Sequence, residues 1–142
     1  MRQGHTLPEI AVALTIAGIV TSVTLPRIAG LLDRVAVEQA ASTLTTALAV
    51  TRNRAVLRAT RERLSITADS LGLEEWQGGA WTRVRRWPGP GDQGVAVSTS
   101  SPLVTFDAVG LAWGLSNTTI QLSRRSHTAT VTTSRLGRIK RW

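Results

Sequence analysis

Glu9 stands directly against an uncharged apolar run, Ile10 to Leu25, and no other residue constrains the chain more. A carboxylate at the edge of a membrane-grade segment is costly, so such a residue ordinarily has a partner and a purpose. Ahead of it lies a short leader, Met1 to Gly4, with one charge, Arg2, and then His5-Thr6-Leu7-Pro8. Pro26 and Arg27 close the run. Its length falls short of the roughly 20 residues that a spanning helix needs. Ile28-Ala29-Gly30-Leu31-Leu32 extend it, which allows a span with Arg27 near an interface. A cleaved secretory signal is the competing reading. Against it, the charged n-region is almost absent, Glu9 precedes the apolar run, and the pattern continues as a helix.

That continuation runs through residues 33–61, where Val37, Ala41, Leu44, Leu48 and Ala55 recur at helical spacing. Small residues such as Ala40, Ala47 and Ala49 allow close packing, and no Gly or Pro interrupts residues 31–71. Residues 10–61 therefore read as one helix, bent near Pro26 and Gly30, about 75–80 Å long at 1.5 Å per residue. From Arg63 the period becomes two, with Leu64, Ile66 and Ala68 alternating with polar residues. Leu71–Gln77 is ambiguous, Gly78-Gly79 a turn, and Ala80–Trp87 a strand with Trp81, Arg83 and Arg85 opposite Thr82, Val84 and Arg86. Pro88 to Asp92 is a loop. Short strands follow at 95–97, 103–106, 118–122 and 129–133. A helix followed only by strands predicts an α+β fold, with the amphipathic half of the helix covering a small antiparallel sheet.

The order Gly4, His5, Glu9, apolar run, Pro26 resembles the class III signal of type IV prepilins and type II secretion pseudopilins. The C-terminal pattern is similar to the GspH/FimT group of minor pilins and pseudopilins. It comprises Gly79-Ala80-Trp81, Phe106 to Gly110, Ile120 and Leu122, a terminal Gly137-Arg138, and Arg52-Asn53-Arg54-Ala55 at the helix end. The likeness covers essentially the whole chain. It implies a pilin-like fold, with residues 1–4 as leader, 5–32 as the membrane and assembly half of the helix, and 33–142 as a periplasmic or extracellular globular domain. It implies a prepilin peptidase that cuts between Gly4 and His5 and N-methylates His5. It further implies that Glu9 pairs with the N-terminus of a neighbouring subunit and that Pro26 kinks the helix. The expected function is a single-pass inner-membrane subunit, assembled with other pilins or pseudopilins into a secretion pseudopilus or a type IV pilus. Its globular domain would lie in the periplasm or at the filament tip.

No enzyme emerges from the residues. The chain has no cysteine, and its histidines, His5 and His127, lie at opposite ends, so no metal site, cofactor or thiol nucleophile is expected. Glu74-Glu75 is the only adjacent acidic pair and reads as a solvated turn. No nucleophile elbow or phosphate-binding glycine loop occurs. A secreted enzyme with an ordinary signal is disfavoured by that absence.

Charge offers an alternative. There are 17 Lys+Arg against 9 Asp+Glu, a net +8. No acidic residue follows Asp107, whereas Arg124, Arg125, Arg135, Arg138, Lys140 and Arg141 crowd the end of the chain. In an extended strand Arg138 and Lys140 share a face, about 6–7 Å apart, near the spacing of adjacent phosphates. The ending resembles the Gly-Arg-x-Arg DNA-binding element of FimT-type minor pilins, with Lys140 in the fourth position. DNA is thus an alternative partner, with Trp142 placed to stack on a base. The plain reading is a solvated edge strand kept soluble by its charges. Trp76, Trp81, Trp87 and Trp113 are expected in the core, since a domain with one Phe and no Tyr needs their area.

Overall fold

The computed structural model describes residues 6–114 and 117–142, the side chains of 23–26 excepted. Among the described residues one helix, α1 (Leu7–Arg58), is followed by nine strands and one short 3-10 turn at Pro90–Gln93. The chain divides into two compact units, Met1–Asp33 and Arg34–Trp142.

In the first unit the apolar side chains of α1, among them Leu7, Ile10, Val12, Leu14, Ile16 and Ile19, are exposed. The stretch is long and apolar enough to cross a membrane. Three of its hydroxyls bond to carbonyls of the helix itself. Thr15 donates to the Ala11 carbonyl (2.8 Å), Thr21 to Ala17 (2.7 Å) and Ser22 to Ile19 (2.8 Å). In hydrocarbon an unmet hydroxyl would cost several kcal/mol, about as much as several leucines contribute. Helical geometry continues through Pro26 and Gly30.

The second unit begins on the buried stripe of α1. Val37, Ala40, Ala41, Leu44, Ala47, Leu48 and Ala55 share one core with residues of both sheets that follow. Each residue of the stripe read from the sequence is buried. The helix stops at Arg58, three residues before the periodicity suggests. Ala59 takes a left-handed φ of 50°. The Thr60 N–H reaches the Ala55 carbonyl and the Ala59 N–H that of Val56, a Schellman closure. Alanine stands where glycine is usual, so the stop is hidden in the sequence.

The strands form two antiparallel sheets where one was expected. The first contains β1 (Glu62–Ile66), β2 (Ser70–Gln77), β3 (Ala80–Pro88), β5 (Leu103–Phe106) and β6 (Ala112–Trp113), in the order β3-β2-β1-β5-β6. The second contains β4 (Ala96–Thr99), β7 (Thr118–Arg124), β8 (His127–Thr133) and β9 (Ile139–Arg141), in the order β4-β7-β8-β9. Leu64, Ile66, Leu71, Val104 and Phe106 of the first sheet and Ile120, Leu122, Ala129 and Val131 of the second fill the core against the helix. Alternation along β1 is strict, with Glu62, Leu64 and Ile66 buried, but it ends there, since Ala68 is exposed.

Two register features differ from expectation. In the β2–β3 ladder Leu73 faces Arg85 while Glu74 faces Arg83, so Val84 is an extra, bulged residue. The bulge turns Arg83 and Arg85 to opposite faces, where simple alternation put them together. Glu74 and Glu75, read as a solvated turn, lie on β2 within ion-pair networks.

Candidate functional site

The residues expected to act fall into three places. Gly4 and His5 lie outside the described residues. Glu9 sits in the first turn of α1, where a negative charge is favoured by the helix dipole. It is exposed, and it is the only acidic residue between Met1 and Leu32. Pro26 lies within α1.

The basic tail is the edge strand of the second sheet. Val131 faces Arg141, Thr132 faces Lys140 and Thr133 faces Ile139. Trp142 exchanges both backbone hydrogen bonds with Thr130 (2.9 and 3.2 Å). Alternation then sorts the cations. Arg141 shares the face of buried Val131 and pairs with Glu38 of α1. Arg138 and Lys140 are exposed, and neither has a carboxylate partner among the described residues. The Lys140 ammonium lies 5.2 Å from the Trp142 ring centroid. Arg138 and Lys140 border an open cleft of ≈ 350 Å³ with Asn117, Thr132 and Ser134. Arg135 is exposed in the turn before β9, its N–H donating to Asn117 Oδ1 (3.3 Å).

Arg124 and Arg125 lie elsewhere. Both belong to the β7–β8 hairpin end, four residues along β8 from the Val131–Arg141 pair. Arg124 donates to the Gln93 carbonyl. Arg125 holds the turn at φ 51°. The structure therefore brings together Arg138 and Lys140, places Arg135 beside a different cleft with Trp113 and Leu136, and separates Arg141, Arg124 and Arg125 from them.

What fixes the tail is a node that the sequence spreads over three segments. Arg52 Nε donates to the Gly110 carbonyl (3.0 Å). Gly137, at φ 72°, packs against that same carbonyl, and a Cβ built on it would lie 2.1 Å from the oxygen and 2.7 Å from Arg52 Nε. Helix end, β5–β6 turn and β8–β9 turn thus meet at one point. The Phe106-to-Gly110 turn and the terminal Gly137-Arg138, quoted above as separate motifs, are two sides of one contact.

A second node joins the helix end to the first sheet. Glu62 is wholly buried and accepts both Arg54 Nε contacts (3.0 and 3.1 Å). Arg54 also reaches Glu75 (3.3 Å), which Arg58 approaches at 3.7 Å. Burial pushes the Glu62 carboxyl above its ordinary range, opposed by the Arg54 hydrogen bond and charge. Sequence reasoning missed Glu62, although the alternation of Leu64 and Ile66 carried back one step puts it on the core face.

The tryptophans are not mainly core. Trp87 is partly buried against the core, whereas Trp76 is 37% and Trp113 63% exposed. Trp76, Trp81 and Trp113 lie on the face of the first sheet turned away from the helix, interleaved with arginines (Arg61 over Trp113, Arg63 over Trp81). The expectation rested on apolar area alone. Guanidinium stacking gives an exposed indole a partner that composition does not reveal.

A long N-terminal helix whose later part is buried under antiparallel sheets defines the pilin-like α+β class. Among solved structures, the type IV minor pilin FimU of Pseudomonas aeruginosa (strain PAO1) superposes with a TM-score of 0.64 at 17% identity, over 73% of this chain and 86% of that one. The minor pseudopilin EpsH from the type 2 secretion system of Vibrio cholerae superposes with a TM-score of 0.63 at 11% identity, over 75% and 95%. No family model and no curated protein matches the chain. The likeness is one of fold, and the fold is that of minor pilins and minor pseudopilins.

Proposed function

We propose that this chain is a minor pilin or pseudopilin subunit, held in the inner membrane by one helix and assembled with other pilins into a type IV pilus or a type II secretion pseudopilus. The observation that carries this reading is the exposed apolar first stretch of α1, headed by Glu9, in a chain with the minor-pilin fold. The work done is assembly rather than catalysis. Residues 5–32 anchor the subunit and pack on neighbouring helices, and residues 33–142 form the globular domain. Cleavage after Gly4 by a prepilin peptidase creates an amine at His5. In a medium of low dielectric, a carboxylate such as Glu9 gains several kcal/mol by meeting a neighbour's amine rather than none. That preference sets the axial register of one subunit on the next. Intact mass of the membrane-extracted protein is expected to begin at His5 and to carry a methyl group. A terminus left at Met1 in cells that hold the peptidase, or cleavage near Gly30, contradicts the assignment.

A second reading, a DNA-binding minor pilin for uptake, is favoured by Arg138 and Lys140 alone. They share an exposed face and lack carboxylate partners among the described residues. Two phosphate contacts on duplex DNA correspond to a log–log salt slope of roughly −1.8. The double replacement Arg138→Ala with Lys140→Ala is expected to abolish most duplex binding by the full chain in neutral detergent. Arg141→Ala, whose guanidinium faces Glu38, is expected to leave it nearly intact. Equal binding by wild type and the double variant reduces the tail to a solvated edge strand.

A further inference from the structure

We propose that the outward face of the five-stranded sheet binds an unpaired nucleic-acid strand, stacking bases on Trp113 and Trp76 and holding phosphates on the adjacent arginines. This site lies on a different sheet from the tail and does not depend on the tail's binding anything.

Register builds the face from five strands. One row across the sheet runs Trp113, Thr105, Arg63, Glu74, Arg83, each opposite the next. The row beside it runs Arg61, Trp76, Trp81, with the Trp76 N–H bonded to the Arg61 carbonyl (2.9 Å) and Trp76 opposite Trp81. The two indoles meet edge to face, with centroids 5.2 Å apart. The Arg61 guanidinium lies 4.2 Å from the Trp113 centroid and that of Arg63 4.2 Å from Trp81. The Arg61 guanidinium is thereby held beside an indole with its N–H groups available to an anion, whereas that of Arg63 already donates to Glu74 (2.6 Å). Among the described residues Arg61 has no carboxylate partner, and both it and Trp113 are exposed. Between them opens a slot of ≈ 280 Å³ lined by Arg61, Trp76, Trp81, Thr105 and Trp113.

The chemistry of the slot selects its occupant. Its polar groups are mostly donors. The nearest carboxylates are engaged: Glu74 by Arg63 (2.6 Å) and Arg83 (3.5 Å), and Asp107 Oδ1 by the N–H groups of Val109 (3.0 Å) and Leu111 (2.9 Å). A sugar, whose hydroxyls need acceptors beside an aromatic plane, finds few. A flat ring joined to an anion meets an indole face and a guanidinium together. Single-stranded nucleic acid presents that pair repeatedly, and its stacking on aromatic side chains tolerates any sequence. A duplex hides its base faces and is excluded by the same geometry. The net charge of +8 draws a polyanion toward the surface.

The test is titration of the full chain in neutral detergent with oligothymidylate, a duplex of equal length and an abasic phosphodiester strand, followed by tryptophan fluorescence and by anisotropy. Oligothymidylate is expected to bind at about 50 mM salt and quench the indoles, at least tenfold more tightly than either control. Trp113→Ala is expected to weaken it about tenfold. Arg61→Ala is expected to lower the log–log salt slope by roughly 0.7, which Arg61→Lys largely restores. Both side chains are exposed, so native near-ultraviolet circular dichroism is expected in each variant. The Arg138→Ala with Lys140→Ala variant is expected to bind the single strand as wild type does. The proposal is overturned by equal affinity for the abasic strand or the duplex, by unchanged affinity in Trp113→Ala, or by no binding at low salt. Quenching by a uronic-acid oligosaccharide in place of oligothymidylate, or loss confined to the tail variant, overturns it too.

Discussion

Gly137→Val is expected to destabilise the chain by about 3–5 kcal/mol. The residue sits at φ 72°, and any Cβ there would lie 2.1 Å from the Gly110 carbonyl oxygen, a backbone atom that cannot swing aside. The left-handed conformation alone costs an L-residue about 1–2 kcal/mol, more when β-branched. Forcing atoms into a filled site adds about 1–3 kcal/mol. Separating Gly137 from Gly110 also breaks the Arg52 hydrogen bond that ties the helix to both turns. A total of about 3–5 kcal/mol is a large share of the 5–15 kcal/mol at hand in a domain of ordinary stability. Gly78→Ala is the internal control. Its φ is 61°, but the added Cβ meets nothing within 4 Å. It is expected to cost only the conformational part, about 1 kcal/mol. Thermal or denaturant melts of the two variants therefore separate clash from backbone preference. Equal losses at the two sites contradict the close approach.

Arg54→Ala is expected to destabilise the chain by about 3–5 kcal/mol at neutral pH, since it strands a buried carboxylate. Its signature is the pH dependence. Glu62 already has a raised folded-state pKa, caused first by burial, and Arg54 is what opposes the rise. With Arg54 gone the rise is larger. A carboxyl whose folded pKa exceeds its unfolded one binds more protons when folded, so stability falls as pH rises through that window and recovers on acidification. The variant is thus expected to gain stability relative to wild type between neutral pH and the ordinary carboxylate range, opposite to the loss of an exposed ion pair. Adding Glu62→Gln is expected to restore most of the loss at neutral pH. A small, pH-independent loss in Arg54→Ala contradicts the buried pair.

The helix stripe and the β1 alternation were legible because each is a local period read against one buried face. The split into two sheets was not, since strand order depends on pairings such as β1 with β5 and β4 with β7, far apart in the chain. The Ala59 stop and the Val84 bulge carry no glycine to announce them. Exposure of Trp76 and Trp113 depends on which side of a strand each occupies, which the strand register decides. For the tail, alternation correctly placed Arg138 and Lys140 together. Only the packed helix shows that Arg141 faces Glu38. The node of Arg52, Gly110 and Gly137 was visible as three short motifs but not as one contact.

Assembly through the exposed apolar helix is the central claim, and it is best tested by photo-crosslinking from Leu14 in the membranes of the producing cells. Leu14 is exposed in the apolar stretch, a little over one turn past Glu9. The chain has no cysteine, so adducts cannot arise from native disulfides. The wild-type chain should give adducts to other helix-anchored subunits. Glu9→Ala should stay in the membrane fraction yet lose most of those adducts, on the order of tenfold, the equivalent of about 1.4 kcal/mol of lost pairing. Undiminished adducts in Glu9→Ala, or none in wild type, would contradict the assembly role assigned to this helix and its carboxylate.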